Sequence, residues 1–505
     1  MSATLVLVII CSYFALLLLI SYFTGRKASN SSYFLGNKQT PWWVLAFGLI
    51  GDSLSGVTFV SVPGQVGGAQ FSYMQIVFGY VFGYLVISEL LLPIYYKYNL
   101  TSIYTYLSAT LGEKLAKNWF FFFLLSRTIG AAFRLYITLI VLNKFLFEPF
   151  GVSFEMAAAI IIILILVYTV KGGIKTLVWT DMLQSGFLLL GLIFSVFYIA
   201  RELDIVSTRG IFSAVGDIGS AVANSDYSKI FFFDDWNAKN HFVKQFLGGA
   251  FIAIAMTGLD QNMMQKNLSA RTLGEAKKNI RVFSIVVVLV NFVFVSLGAL
   301  LYMYAAKMGI ETPKSTDELF PLIAIKYLGV AASVAFILGI AAATFSSADS
   351  VLTTLTTAFC IDFLGMDDHA AKDKDQAKLK RTRTIVHVGF SVILLGTIIL
   401  FRNWNNDAVI TQVFVAANFT YGPLIGLFAF SMFTKFKVYD RLVPLMCIIP
   451  PVTCYFLNAN SKEWFNGYQF GNELLILNGL LTFVGLMLLI NRTSPQPSPK
   501  ERELN

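Results

Sequence analysis

Thirteen apolar runs of bilayer-spanning length follow one another along this chain, at roughly 5 to 23, 43 to 66, 72 to 96, 118 to 147, 152 to 170, 177 to 200, 243 to 264, 282 to 306, 328 to 362, 385 to 401, 408 to 433, 442 to 458 and 471 to 491. A hydrocarbon layer ~30 Å thick takes about 20 residues of helix to cross. Inside it, every backbone amide and carbonyl must find a partner within the protein, which a helix supplies within its own span. The chain therefore reads as an all-α integral membrane protein. With 56% of residues hydrophobic and only 13% charged, its runs could not all be hidden in a soluble core.

Orientation follows from the basic residues, which stay on the cytoplasmic side. Of the 38 Lys and Arg, 25 fall in alternate loops beginning after the first helix, among them Lys266, Arg271, Lys277, Lys278 and Arg281 in a single loop. The N-terminus is then outside and the C-terminus inside, and the formal charge of +9 is an orientation signal rather than a nucleic-acid footprint. Cys11, Cys360, Cys447 and Cys454 lie in apolar segments without metal-ligand spacing and read as buried small hydrophobes. The first run lacks a basic flank and a small-residue cleavage site, so it reads as a retained helix.

One carboxylate, Asp349, stands in an apolar stretch from Leu328 to Ile361 that holds no other charge. On a helix, Ser346, Asp349, Ser350, Thr353 and Thr357 form one oxygen-rich stripe. An ionised group at membrane depth costs several kcal/mol unless water, a cation or a counter-charge meets it. Oxygen ligands point to a small hard cation. Two runs are also interrupted, the second by Gly48, Gly51, Gly56, Pro63 and Gly64 and the seventh by Gly248, Gly249 and Gly258 before Asp260. They lie five helices apart, the pattern of inverted-repeat transporters whose broken helices bare carbonyls to ions and amides to substrate.

Polar groups on and facing the first broken helix are the candidate solute contacts: Ser53, Ser55, Thr58, Gln75, Arg134, Asp260 and Gln412. Arg127 and Arg134 are seven residues apart and share one helix face, where a buried guanidinium demands an anion. Arg134 either clamps a solute carboxylate, with Ser55 and Thr58 donating further bonds, or pairs structurally with Asp52, Glu89 or Asp260.

Several blocks resemble the sodium:solute symporter family, which includes sodium/glucose, proline, sialic acid, iodide and monocarboxylate carriers. They are Tyr33 to Gly36; Pro93 with the tyrosines that follow, through Tyr104 to Leu107; Gly172-Gly173 through Thr180-Asp181 to Gln184; Asp260-Gln261 with Gln265; Phe345 to Ser350; and Gly422-Pro423 to Gly426. The likeness covers about 35 to 433. It implies a LeuT-type 5+5 inverted repeat with one extra N-terminal and two extra C-terminal helices. The divisions expected are an N-terminal helix and inner loop at 1–35, a first repeat at 36–202, an outer loop at 203–242, a second repeat at 243–433, C-terminal helices at 434–491 and a disordered cytoplasmic tail at 492–505.

By the same resemblance, a primary sodium site would comprise the carbonyls of Gly51, Leu54 and Ala343 and the hydroxyls of Ser346 and Ser347. A second would comprise Asp181, Ser346, Asp349 and Ser350, although the family's best-described pattern has a serine where this chain has Asp349. The alternative is that Asp349 only bonds neighbouring helices and Asp181 latches the inner gate. The run from Ser55 to Phe59 and the placement of Arg134, 47 positions before Asp181, are similar to the sialic-acid branch.

The expectation is a symporter of the bacterial plasma membrane, working as a monomer and driven by one or two Na⁺ per cycle. It would import a carboxylate-bearing sugar acid or other organic anion. The alternatives are a sodium-coupled carrier of a neutral sugar, polyol or amino acid and, from another class, a membrane-embedded sensor. No enzymatic constellation and no nucleic-acid surface is expected.

Overall fold

A computed structural model of the chain describes residues 3–25, 39–100, 104, 106–107, 113–206, 210–366, 376–402, 415, 417–434 and 436–495. The helices are α1 (Ala3–Gly25), α2 (Trp42–Ser53), α3 (Gly56–Ala69), α4 (Tyr73–Val86), α5 (Glu113–Leu142), α6 (Phe154–Glu202), α7 (Ile211–Ala223), α8 (Phe242–Ala253), α9 (Gln261–Asn267), α10 (Leu273–Met308), α11 (Leu319–Lys326), α12 (Gly329–Ala358), α13 (Gln376–Arg402), α14 (Gly422–Phe433), α15 (Val443–Ala459) and α16 (Leu474–Leu488).

Both interrupted runs are broken helices. α2 and α3 meet at 58°, and the segment from Phe242 to Gly258, which extends α8 by one wide turn, meets α9 at 67°. At the first break Leu54 leaves helical geometry and Ser55 is extended. At the second, Asp260 is extended and its carboxylate caps α9 by accepting from the Met263 amide at 3.0 Å. Carbonyls freed there still need donors at membrane depth. Tyr95 supplies one to Gly258 at 2.9 Å and Tyr104 one to Leu259 at 3.1 Å.

α6 spans twice. Gly173 sits at φ +54°, a left-handed conformation that a side chain would oppose, and there the chain turns between the two spans read from the sequence at 152 to 170 and 177 to 200. α6 packs closely along α12. A Cβ at Gly191 would stand 2.7 Å from the Ala335 carbonyl, so glycine sets how near these two helices come.

Among the described residues six helices are long and apolar enough to span, or eight if each bent pair is one span, with four shorter apolar helices beside them. This is fewer than the thirteen runs in the sequence. The runs at 152 to 170, 442 to 458 and 471 to 491 form the shorter helices Phe154–Val170, Val443–Ala459 and Leu474–Leu488, and the start of the run at 408 to 433 lies outside the described residues. Two features were not read from the sequence. The loop at 203–242 carries α7, which buries Ala214, Ile218 and Val222, and Phe436–Val438 pairs antiparallel with Ile490–Pro495.

Candidate functional site

The oxygen-rich stripe of α12 faces α9, the short second half of the second broken helix. Thr354 donates to Asn262 at 3.2 Å, Gln265 donates to Thr357 at 3.3 Å, and the Lys266 ammonium donates to Ser350 at 2.7 Å. Lys266 is 2% exposed. It also binds Asp181 Oδ2 on α6 at 2.6 Å and Asp52 Oδ2 on α2. Its three protons thus meet three acceptors on three helices, and together with α9 itself the ammonium ties four segments to one point. Ser346 donates to the other Asp181 oxygen at 2.9 Å.

Of the expected second-site set, Asp181 and Ser350 therefore meet at one nitrogen, and Ser346 joins them through Asp181. Asp349 turns elsewhere: its Oδ2 accepts the Tyr168 hydroxyl at 2.7 Å, and its Oδ1 is buried without a partner. Lys266 escaped the sequence reading because it was counted with the basic residues of an inner loop. Asp52 and Asp181, two carboxylates within apolar runs, are the signal that points to a buried cation between them.

Of the residues expected to form the primary sodium site, Gly51 lies against Ser346, and Ala343 is bonded to Ser347. Gly51 is at the end of α2, where the last carbonyls run out of intrahelical donors. Its amide donates to Ser185 at 2.8 Å, and a Cβ there would stand 2.9 Å from Ser346 Oγ. Leu54 forms the break itself. One turn of α12 brings Ala343 and Ser347 together, the hydroxyl bonding the carbonyl at 3.2 Å. All five residues are buried.

A cavity opens beside the first break. Ser53, Ser55, Thr58, Arg134 and Asp260 line it, with Tyr73, Tyr80 and Tyr84 on its walls. Gln75 is not part of its lining; both ends of its amide are held by the loop between α7 and α8, donating to Asn240 at 2.9 Å and accepting from the Phe232 amide at 3.1 Å. Gln412 lies outside the described residues.

Each carboxylate weighed as a structural partner of Arg134 is paired with another cation. Asp52 holds Lys266, Asp260 holds Arg127, and Glu89 binds Lys277 at 2.8 Å and Arg281 at 2.5 Å. Arg127 also donates to the Tyr421 hydroxyl. Among the described residues no carboxylate pairs with Arg134, which is half-buried at the cavity wall.

The model of the sodium:solute symporter family matches residues 33–438. The chain belongs to this family. It is a sodium-coupled symporter of the LeuT-type fold, and Na⁺ is the ion it uses. Among its relatives, the sodium/sialic acid symporter NanT of Aliivibrio fischeri is 23% identical over 91% of this chain and 89% of its own length. The sodium/sialic acid symporter SiaT of Proteus mirabilis is 23% identical over 94% of both. A sodium/glucose cotransporter of Vibrio parahaemolyticus is 24% identical over 74% of this chain and 69% of its own. Of solved structures, a substrate-bound, outward-open Na⁺-coupled sialic acid symporter superposes with a TM-score of 0.79 at 18% identity, covering 97% of this chain and 98% of that one. A nucleobase-cation-symport-1 transporter, Mhp1, reaches 0.52 at 12% identity, over 92% of this symporter and 96% of its own chain.

Proposed function

We propose that this symporter imports a small organic anion, a carboxylate-bearing sugar acid of the sialic type, across a bacterial plasma membrane. The observation that carries the reading is the guanidinium of Arg134 at the cavity wall while Asp52, Asp260 and Glu89 are each engaged by another cation. A guanidinium at membrane depth needs an anion, and a bidentate carboxylate satisfies it. Ser55 and Thr58 line the same cavity and offer hydroxyls to the remaining polar groups of the solute. Two relatives named as sodium/sialic acid symporters, matching nearly end to end, support the same substrate class.

Sodium held by the carbonyls of Gly51, Leu54 and Ala343 and the hydroxyls of Ser346 and Ser347 braces the first broken helix against α12. It thereby favours the state that presents Ser55, Thr58 and Arg134 to the outside. Solute and ion each stabilise a state the other prefers, which is the coupling. Five neutral oxygens offset the desolvation of a monovalent ion without trapping it, so release inside remains open.

The test is sodium-driven uptake in proteoliposomes. Sugar acids should compete with the transported solute, and Arg134→Ala should abolish that competition. If neutral sugars are carried and carboxylates never compete, Arg134 is a wall residue and the tyrosines Tyr73, Tyr80 and Tyr84 are left to hold a neutral ring.

A further inference from the structure

We propose that the Lys266 ammonium is itself the cation of the second carboxylate site, a tethered charge standing where a second Na⁺ would otherwise bind, so that one ion is moved per cycle. The inference rests on the primary-site reading only for where that one ion sits. Lys266 occupies the meeting point of Asp181 and Ser350, with its nitrogen 2.6 Å and 2.7 Å from their oxygens, and adds Asp52 from the first broken helix. Such spacings belong to hydrogen bonds with an ammonium in full contact, leaving no room for an ion between them.

Charge argues the same way. Asp52 and Asp181 are buried, and one ammonium lies between them. A free cation at Asp181 and Ser350 would sit against that ammonium in a poorly solvated interior, where like charges repel strongly. Lys266 cannot leave, so it cannot be released to the cell. It supplies one positive charge to the two carboxylates and holds both broken helices to α6 and α12.

If the nitrogen is a substitute ion, deleting it should open a site for a real one. Equilibrium binding of radioactive sodium to the purified symporter should give one Na⁺ per chain for the wild type and for Lys266→Arg, and two for Lys266→Ala. Two ions bound by the wild type overturn the proposal, as does a folded Lys266→Ala that still binds one. Should Lys266→Ala not fold, the sodium-to-solute flux ratio of the wild type decides: one supports the proposal and two refutes it. Ser347→Ala separates the two readings. If it binds Na⁺ as the wild type does, the primary site is misplaced, while the count of one against two still judges Lys266.

Discussion

Lys266 and Asp181 meet at 2.6 Å inside the protein, the ammonium 2% and the carboxylate 0% exposed. Their helices lie far apart in sequence, and α9, which carries the lysine, is only seven residues long and wholly buried. Taking two charges out of water is expensive, and attraction in the interior offsets that cost only with full hydrogen bonding. Here the bonding is complete on the nitrogen, through Asp52, Asp181 and Ser350.

Removing the ammonium alone should therefore do more harm than removing the whole cluster. Lys266→Met leaves Asp52 facing Asp181 without a counter-charge, and breaking one side of such a buried pair costs about 3–5 kcal/mol. Thermal unfolding in potassium buffer should show a large drop for Lys266→Met. Much of it should return when Asp52→Asn and Asp181→Asn are added, because amides can bond one another without a cation. Equal stability of the single and triple variants would mean that the ion pair contributes little.

Arg127 and Arg134 share a helix face and should answer differently to the same truncation. Arg127→Ala strips Asp260 of its cation and Tyr421 of its donor, so stability should fall and Asp260→Asn should partly restore it. Arg134→Ala removes no ion pair among the described residues, so unfolding should change little. Solute affinity should instead weaken by roughly 10- to 100-fold, the loss of a charge-assisted hydrogen bond worth about 1.5–3 kcal/mol. Binding assays alongside thermal melts distinguish the two; a matched loss of stability for both arginines would contradict the division.

The break in α2–α3 leaves little room. A Cβ at Gly51 would come within 2.8 Å of Ser185 Oγ and 2.9 Å of Ser346 Oγ, closer than real side-chain contacts allow. Gly51→Ala should push Ser346 away from α2 and weaken sodium activation of uptake, raising the half-saturating Na⁺ concentration. Gly68→Ala, in open space at the far end of α3, is the control that should leave it unchanged.

The breaks were legible in the sequence because unwinding a membrane helix calls for residues that tolerate close approach and unusual backbone, and Gly51, Gly56 and Gly258 supplied that signal. The stripe from Ser346 to Thr357 was legible from helical spacing alone. Its partner was not. The seventh run ends at 264, partway through α9, because Gln265-Lys266-Asn267 is polar, and Lys266 precedes Arg271, Lys277, Lys278 and Arg281, which read as one basic loop although the last three lie near the start of α10. Only tertiary packing shows that this polar half-helix is buried against the stripe. Gln75 failed for the opposite reason: a glutamine in an apolar run suggests a cavity, yet its amide is consumed by backbone of the loop between α7 and α8.

Asp349, the lone charge of its apolar stretch, gives the last prediction. Its neighbours at Ser346 and Ser350 turn toward Asp181 and Lys266, whereas Asp349 accepts the Tyr168 hydroxyl at 2.7 Å. If Lys266 is the resident cation, Asp349 ligates no transported ion, and Asp349→Asn should leave the Hill slope for sodium as it is in the wild type. Tyr168→Phe should then act on stability, because it strips a buried carboxylate of its donor at a cost of ~1–3 kcal/mol, more if the group stays charged. With Asp349→Asn already in place Tyr168→Phe should cost less than it does alone, since no buried charge is then stripped of its donor. A lower sodium slope for Asp349→Asn would instead make its carboxylate a ligand of a moving ion, and the tethered charge of Lys266 would no longer account for the site.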